Sequence, residues 1–248
     1  MSHATAFTRQ WAGIVALVRL FGAHAPRAKL IEGDGMVASV MPAAPTSSLM
    51  NVALSVDPTA PPTNIRRLKA AFRAAGAQKW GLWVDGADAA AAEAATSHGL
   101  VLDSRPAAMV ANLDGLPFDD APPNATPDLA TVGRINDAAY GYDAPKLAPA
   151  IAALPRAVIA YGASHEGAPA SVAMAHDVGS DTAVWFVATL PQAQRNGLAA
   201  AILKRLLLDA RDRGQTTASL QASQKGRPLY ERLGFTTVGS LHLYEERF

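Results

Sequence analysis

The chain has no cysteine. Disulfides, a thiolate nucleophile and cysteine-ligated metal are therefore excluded, and the lack fits an expected cytoplasmic location. An excess of charge of either sign is also missing: the formal net charge is +1, and the basic residues are scattered rather than run together. That leaves no basic face for nucleic acid, which is not expected as a partner. Long apolar runs are missing too, because Ala12 to Val18 is far too short to span a bilayer and ends at Arg19. Phe7, Trp11, Ile14, Val15, Val18 and Phe21 fall along one side of a helix, which explains this run better than a signal peptide does, and no membrane partner is expected. The six histidines lie far apart with no H-E-x-x-H spacing, so no metal is expected.

What is present is a chain of 248 residues, half of them hydrophobic, enough for one large domain or two of ordinary size. After the first helix, Lys29 to Glu32, Met36 to Val40 and Leu49 to Val56 read as short strands. Asn64 to Ala75 reads as a helix stopped by Gly76, Lys79 to Val84 as a strand, Ala87 to Ser97 as a helix ended by Gly99, and Leu100 to Leu113 as a strand region broken by Pro106. Asp114 to Pro127 holds four prolines and three aspartates and reads as a linker. Beyond it come a helix from Asp128, a loop with Tyr140, Gly141, Tyr142 and Pro145, a helix around Leu147 to Leu154, and a meander over Ala157 to Ser164, Ala170 to His176 and Ala183 to Thr189. The helix Leu198 to Arg213 carries Leu198, Ile202, Leu206 and Ala210 at steps of four, widened by Leu203 and Leu207, and its apolar face must pack on a sheet. A strand from Thr216 to Ala222, a short helix through Tyr230 and a strand near Leu241 to Tyr244 complete the half. Trp80, Trp83 and Trp185 read as core.

The two halves repeat one order of elements, with helix ends at Gly76 and Gly99 in the first and Gly214 and Gly234 in the second. Their turns differ chemically. The second half has Gln194-Arg195-Asn196-Gly197-Leu198-Ala199, of the form Q-x-x-G-x-A, between an apolar strand and a helix. Such a turn aims successive backbone N–H groups and the positive helix end at one point, a receptor for a pyrophosphate. The first half has Asp57-Pro58-Thr59-Ala60-Pro61-Pro62-Thr63, whose three prolines lack N–H donors and whose aspartate repels phosphate. The second half also ends a short helix with Leu229-Tyr230-Glu231-Arg232-Leu233-Gly234-Phe235, where the first offers no tyrosine before Gly99. No G-x-x-x-x-G-K-[ST] or G-x-G-x-x-G phosphate loop occurs.

The Q-x-x-G-x-A turn, the Ala222-Ser223 step and the L-Y-x-x-L-G-F ending, in this order, resemble the acyl-CoA-binding core of the GNAT N-acetyltransferase superfamily. The resemblance implies an α/β (α+β) fold of two GNAT-like domains, each a mixed, mostly antiparallel sheet with flanking helices. A degenerate copy without a cofactor site would cover residues 1–115, a Pro-rich linker 116–127 and an acetyltransferase domain 128–248, with a splayed parallel strand pair in the last. It implies acetyl-CoA as cosubstrate, no metal, and as partner a small-molecule or peptide amine. Backbone groups of Val187, Ala188 and Thr189 would hydrogen-bond the pantetheine arm, and Gln194, Arg195, Asn196, Gly197, Leu198 and Ala199 would form the pyrophosphate turn. The family more often has arginine where Gln194 stands and glycine where Ala199 stands. Tyr230 would be the general acid toward the leaving thiolate and Ser223 a hydrogen-bonding assistant, with a turn or cap serine as the competing reading. No motif supplies the base: His165, Glu166, His176 and Asp177 lie near strand ends and read equally as solvated turn residues. Lys204, Lys225 and Arg227 are candidates for the nucleotide phosphates, and Tyr140 and Tyr142 for the acceptor pocket. A catalytically idle acyl-CoA-binding regulatory or interaction module is the alternative to an enzyme.

Overall fold

The computed structural model describes residues 2–142 and 145–248. The chain forms two compact units, 1–108 with 237–248, and 109–236. In the first unit, α1 (His3–His24) opens with Ser2 Oγ accepting the Thr5 N–H and buries the side carrying Phe7, Trp11, Ile14, Val15, Val18 and Phe21. It packs on β1 (Lys29–Gly33), β2 (Met36–Val40) and β3 (Val52–Ser55). These strands are antiparallel in sequence, and β3 then pairs in parallel with β4 (Lys79–Asp85) across α2 (Ile65–Ala74). α3 (Ala89–Ser97) follows, capped by Asp88, and then β5 (Val101–Ser104). β6 (Ala107–Asn112) carries the chain into the second unit.

The second unit repeats this pattern. α4 (Leu129–Ala139) and α5 (Leu147–Ile151) precede an antiparallel meander of β7 (Ile159–His165), β8 (Ala168–Val178) and β9 (Asp181–Thr189). β9 then pairs in parallel with β10 (Thr217–Ala222) across α6 (Leu198–Asp212), and α7 (Arg227–Arg232) leads to β11 (Phe235–Arg247). α6 buries Ile202, Leu203, Leu206, Leu207 and Ala210, the stripe expected from its spacing, together with Leu208. Each fully buried leucine contributes about 1.5–3 kcal/mol, so this face holds the helix to the sheet.

Two features differ from the expectations. The last strand is not a short segment closing the second half: Leu241–Arg247 run antiparallel to Lys79–Asp85 in full register, inside the first unit. The place beside β10 is taken by β6. The linker is also tied at its end. Ala125 and Gly162 exchange both backbone hydrogen bonds at 3.0 and 2.8 Å, and the Asn124 side chain accepts the Gly162 N–H at 2.7 Å, adding a bridge to β7.

Candidate active site

The site is assembled where β9 and β10 part. Their parallel register holds only for Thr217 with Asp181, Ala218 with Thr182 and Ser219 with Ala183, while β9 continues to Thr189. A bulge lies just beyond. On β8, Val172 faces Ala188 and Met174 faces Trp185, so Ala173 alone stands opposite both Phe186 and Val187. Phe186 has φ +50°, a left-handed conformation costly for a bulky side chain. The extra residue interrupts the β8–β9 ladder just beyond the last paired residues of β9 and β10.

The expected pantetheine-binding residues divide by strand alternation. Leu190 donates its N–H to Ala170 on β8, and Ser171 Oγ donates to the Ala188 carbonyl at 3.3 Å, so Ala188 faces β8. Alternation turns Val187 and Thr189 to the opposite, open side. The Thr189 carbonyl there accepts the Gln194 side-chain amide at 3.3 Å, which ties the following turn to the strand end.

That turn begins as a 3-10 helix over Pro191–Ala193, passes through Arg195 at φ +66° and reaches Gly197 at φ +76°, the residue that opens α6. Among the described residues, no atom beyond the glycine's own chain neighbours lies within 4 Å of where a Cβ on Gly197 would stand. The backbone angle, rather than crowding within the chain, therefore calls for glycine here. Among the described residues, none accepts a hydrogen bond from the backbone N–H of Arg195, Asn196, Gly197, Leu198 or Ala199, and no side chain caps the helix. Free donors, the positive end of a 15-residue helix and open space above the glycine together suit a pyrophosphate.

Tyr230 sits on α7, 8% exposed, edge-on to Phe235 with ring centroids 5.9 Å apart. Burial, and secondarily the nearby Tyr140 phenol, push its pKa well above the ordinary phenol value, so the hydroxyl stays protonated. Gly226 makes room for it. A Cβ at that position would stand 3.1 Å from Tyr230 Cε2, 3.3 Å from Ser223 Oγ and 3.7 Å from the Tyr230 hydroxyl. Ser223 accepts the Gly226 N–H on its Oγ at 3.1 Å, as a turn serine does, and its hydroxyl proton has no acceptor among the described residues. The convergence of Tyr230 and Ser223 on Gly226 was not among the sequence expectations, since a glycine before a helix reads as an ordinary turn.

The basic and acidic candidates separate. Arg227 is engaged with Glu231 at 2.7 Å, and Lys204 rests 5.2 Å above the Phe118 ring, while Lys225 is exposed. Asp177 pairs with Arg213 and accepts the Thr182 hydroxyl. His176 is not a solvated turn residue. It is 6% exposed, stacked near Trp185 at 6.5 Å between centroids, and neither its ring nitrogens nor the Trp185 indole N–H has a partner among the described residues. Burial lowers its pKa to about 4, with the Asp177 charge opposing the shift.

This has a consequence for stability. Above pH 6.5 neither the folded nor the unfolded state holds the proton. As pH falls toward 4 the unfolded chain takes up a proton that the folded chain refuses, and by pH 4 about 3 kcal/mol of stability should be lost through this one group. Chemical denaturation at pH 7.5 and pH 4 is expected to show a smaller loss in His176→Phe than in the parent. Equal losses would remove His176 from the account.

Asp137 escaped the sequence reading because an aspartate late in a helix has no motif. Its buried carboxylate accepts the backbone N–H groups of Lys146, Leu147 and Ala148 at 2.9–3.3 Å, and its carbonyl accepts that of Tyr142 at 3.0 Å. It thereby anchors both ends of the loop bearing Tyr140 and Tyr142.

Residues 157–245 match a family model described as an acetyltransferase (GNAT) domain. No curated protein matches. Among solved structures the chain is similar to a GCN5-related N-acetyltransferase from Kribbella flavida, at 20% identity with 95% of each chain covered and a TM-score of 0.66. It is also similar to a functionally unknown conserved protein from Staphylococcus epidermidis, at 12% identity over 89% of this chain and 94% of that one, TM-score 0.61. A GCN5-related N-acetyltransferase from Sphaerobacter thermophilus matches at 15% identity over 86% and 76%, TM-score 0.59. At these identities the likeness is one of fold, and the GNAT resemblance drawn from the turn and the tyrosine helix is met over residues 157–245.

Proposed function

We propose that the protein is a cytoplasmic N-acetyltransferase that moves an acetyl group from acetyl-CoA to a primary amine of a small molecule or peptide. The observation that carries this reading is the open edge of β9 leading into a turn of unpartnered N–H groups at the head of α6. Val187 and Thr189 offer backbone groups along that edge, where an extended pantetheine arm can add as a strand would. Arg195, Asn196, Gly197, Leu198 and Ala199 receive the pyrophosphate, with Gln194 holding the turn against Thr189.

The reaction is direct attack of the neutral amine on the thioester carbonyl, with coenzyme A leaving as a thiolate. Tyr230 donates a hydrogen bond to the sulfur as its charge develops. With its pKa raised above that of an ordinary phenol, and a thiol near 8.5, donation without full transfer is the favourable course. Ser223 has a hydroxyl proton available to assist.

In the same reading the first half is a degenerate copy of the acetyltransferase half, the two following the compact units 1–108 with 237–248 and 109–236 rather than the expected bounds 1–115, 116–127 and 128–248. Three facts support it. The strand pairing β1-β2-β3-β4 has the same senses as β7-β8-β9-β10. In the first copy the Trp11 indole donates to the Ser55 carbonyl at the end of β3, at 2.9 Å, and so occupies the strand end. The turn before α2 is acidic, with Asp57 bound to Thr59 and Asp34 to Asn64. Calorimetry with acetyl-CoA, followed by a thiol-reagent assay of coenzyme A release over a set of amines, tests the proposal. Binding with no turnover on any amine would instead favour the idle acyl-CoA-binding module, and no binding would end both readings.

A further inference from the structure

Charge is nearly balanced over the whole chain but not along it. Between Asp57 and Asp85 no carboxylate residue occurs, while Arg66, Arg67, Lys69, Arg73 and Lys79 do; between Arg105 and Arg134 no lysine or arginine occurs, while Asp114, Asp119, Asp120 and Asp128 do. The first stretch contains α2 and the second the Pro-rich segment, and every residue of both is described.

α2 buries Ile65, Leu68 and Phe72, which leaves its cations on the outer side. There Arg66, Lys69, Ala70, Arg73 and Ala74, spaced as one face of a helix, line a groove of about 410 Å³. The neighbouring carboxylates balance this face only in part. Lys69 pairs with Glu246, Lys79 with Glu245, and Arg67, beside the groove, stands 4.0 Å from Asp34. Arg66 makes no ion pair among the described residues, and Arg73 covers the Phe248 ring at 4.7 Å without pairing with a side-chain or terminal carboxylate among them. Two exposed guanidinium groups, seven residues and so about 10.5 Å apart along the axis, therefore flank a floor of two alanines.

The acidic stretch is displayed just as openly. One end is fastened by the Leu113 N–H to the Thr216 carbonyl at 3.0 Å and the other by the Ala125–Gly162 bridge, while residues 116–124 join no helix or strand. Asp114, Asp119 and Asp120 are exposed and make no ion pair among the described residues. Asp128 caps α4 beside Arg134 and is already engaged. Lys204 reaches the segment over the Phe118 ring at 5.2 Å, one cation against three carboxylates. Exposed Pro122 and Pro123 follow close behind Asp120. A segment held at both ends loses less freedom on docking, and its carboxylates and proline rings match the cationic flanks and apolar floor of the groove.

We propose that the α2 groove is a docking surface for the Asp119 to Pro123 segment of a second copy of this chain. Asp119 and Asp120 of one copy meet Arg66 and Arg73 of the other, and the prolines lie on Ala70 and Ala74. Each copy offers one groove and one segment, so a two-fold pair satisfies both and closes. Exposed ion pairs are individually weak and screened by salt, so the association is weak and strongest at low ionic strength. It uses none of the residues assigned to the cosubstrate, and it stands or falls apart from the acetyltransferase reading.

Sedimentation of the full chain over a range of concentrations tests it, at about 0.02 M and about 0.5 M salt, where screening is weak and strong. Two-copy particles are expected at low salt and single chains at high salt. Arg66→Glu with Arg73→Glu should raise the dissociation constant at least about tenfold, and Asp119→Arg with Asp120→Arg should do the same, because each sets like charges against each other. A chain carrying all four changes has the charges exchanged and should associate again. Lys29→Glu with Arg156→Glu alters net charge as the first pair does, at exposed positions outside both surfaces, and should leave association unchanged. Circular dichroism confirms that each variant is folded. Single chains at both salt concentrations, association that survives either paired change, no recovery in the fourfold variant, or equal loss in the Lys29 and Arg156 control overturns the proposal.

Discussion

Tyr230→Phe is expected to slow acetyl transfer roughly ten- to a thousandfold while leaving acetyl-CoA affinity nearly unchanged, the range for losing a positioned proton donor. The substitution removes one oxygen and keeps the ring, so the edge-on contact with Phe235 survives and the helix that carries it should stay folded. On the proposed mechanism the lost group would act only when negative charge gathers on sulfur, so the effect is expected in kcat rather than in binding. Because burial raises the phenol's pKa, any loss of rate from Tyr230 ionisation in the parent should set in at higher pH than for an ordinary phenol. Steady-state rates with parallel calorimetry decide the matter. A variant with full activity would mean that water or another group serves the thiolate.

The second large effect is on binding. Gly197→Asp should weaken acetyl-CoA by at least about a hundredfold, and the parent should bind one equivalent per chain. Aspartate is among the residues that tolerate a left-handed backbone best, and a negative charge at the head of a helix is favourable, so the fold should bear the change. The open space above Gly197 also admits the side chain. What the change adds is a carboxylate where the pyrophosphate would rest. Two like charges about 4 Å apart near a protein surface repel by about 4 kcal/mol, more than enough for the expected loss. The single equivalent follows from the first turn, where Asp57 holds the Thr59 N–H and three prolines have none to give. Calorimetry reads both quantities, and circular dichroism confirms that the variant is folded. Two sites in the parent, or undiminished affinity in the variant, would move the cosubstrate elsewhere.

What the residues determined by themselves is local. The stripe Ile202, Leu203, Leu206, Leu207 and Ala210 specifies a helix and its buried face within four turns, and Gly197 marks a left-handed position because few other residues adopt one cheaply. The turn at Gln194 to Ala199 and the helix around Tyr230 were legible for the same reason: each is a short run whose chemistry depends on its own backbone.

The tertiary structure decided what depends on distant partners. Nothing in Leu241 to Arg247 names β4 as its neighbour, because a strand's edge hydrogen bonds are the same for any partner and the loop-closure cost grows only slowly with separation. The bulge at Phe186 is hidden because its φ of +50° contradicts its residue type and is imposed by the surrounding sheet. His176 reads as a polar strand-end residue until β9 and Trp185 bury it, and Asp137 reads as an ordinary helix aspartate until the returning chain brings three N–H groups to its carboxylate. Burial and pairing are properties of the assembled core, and no run of residues contains them in advance.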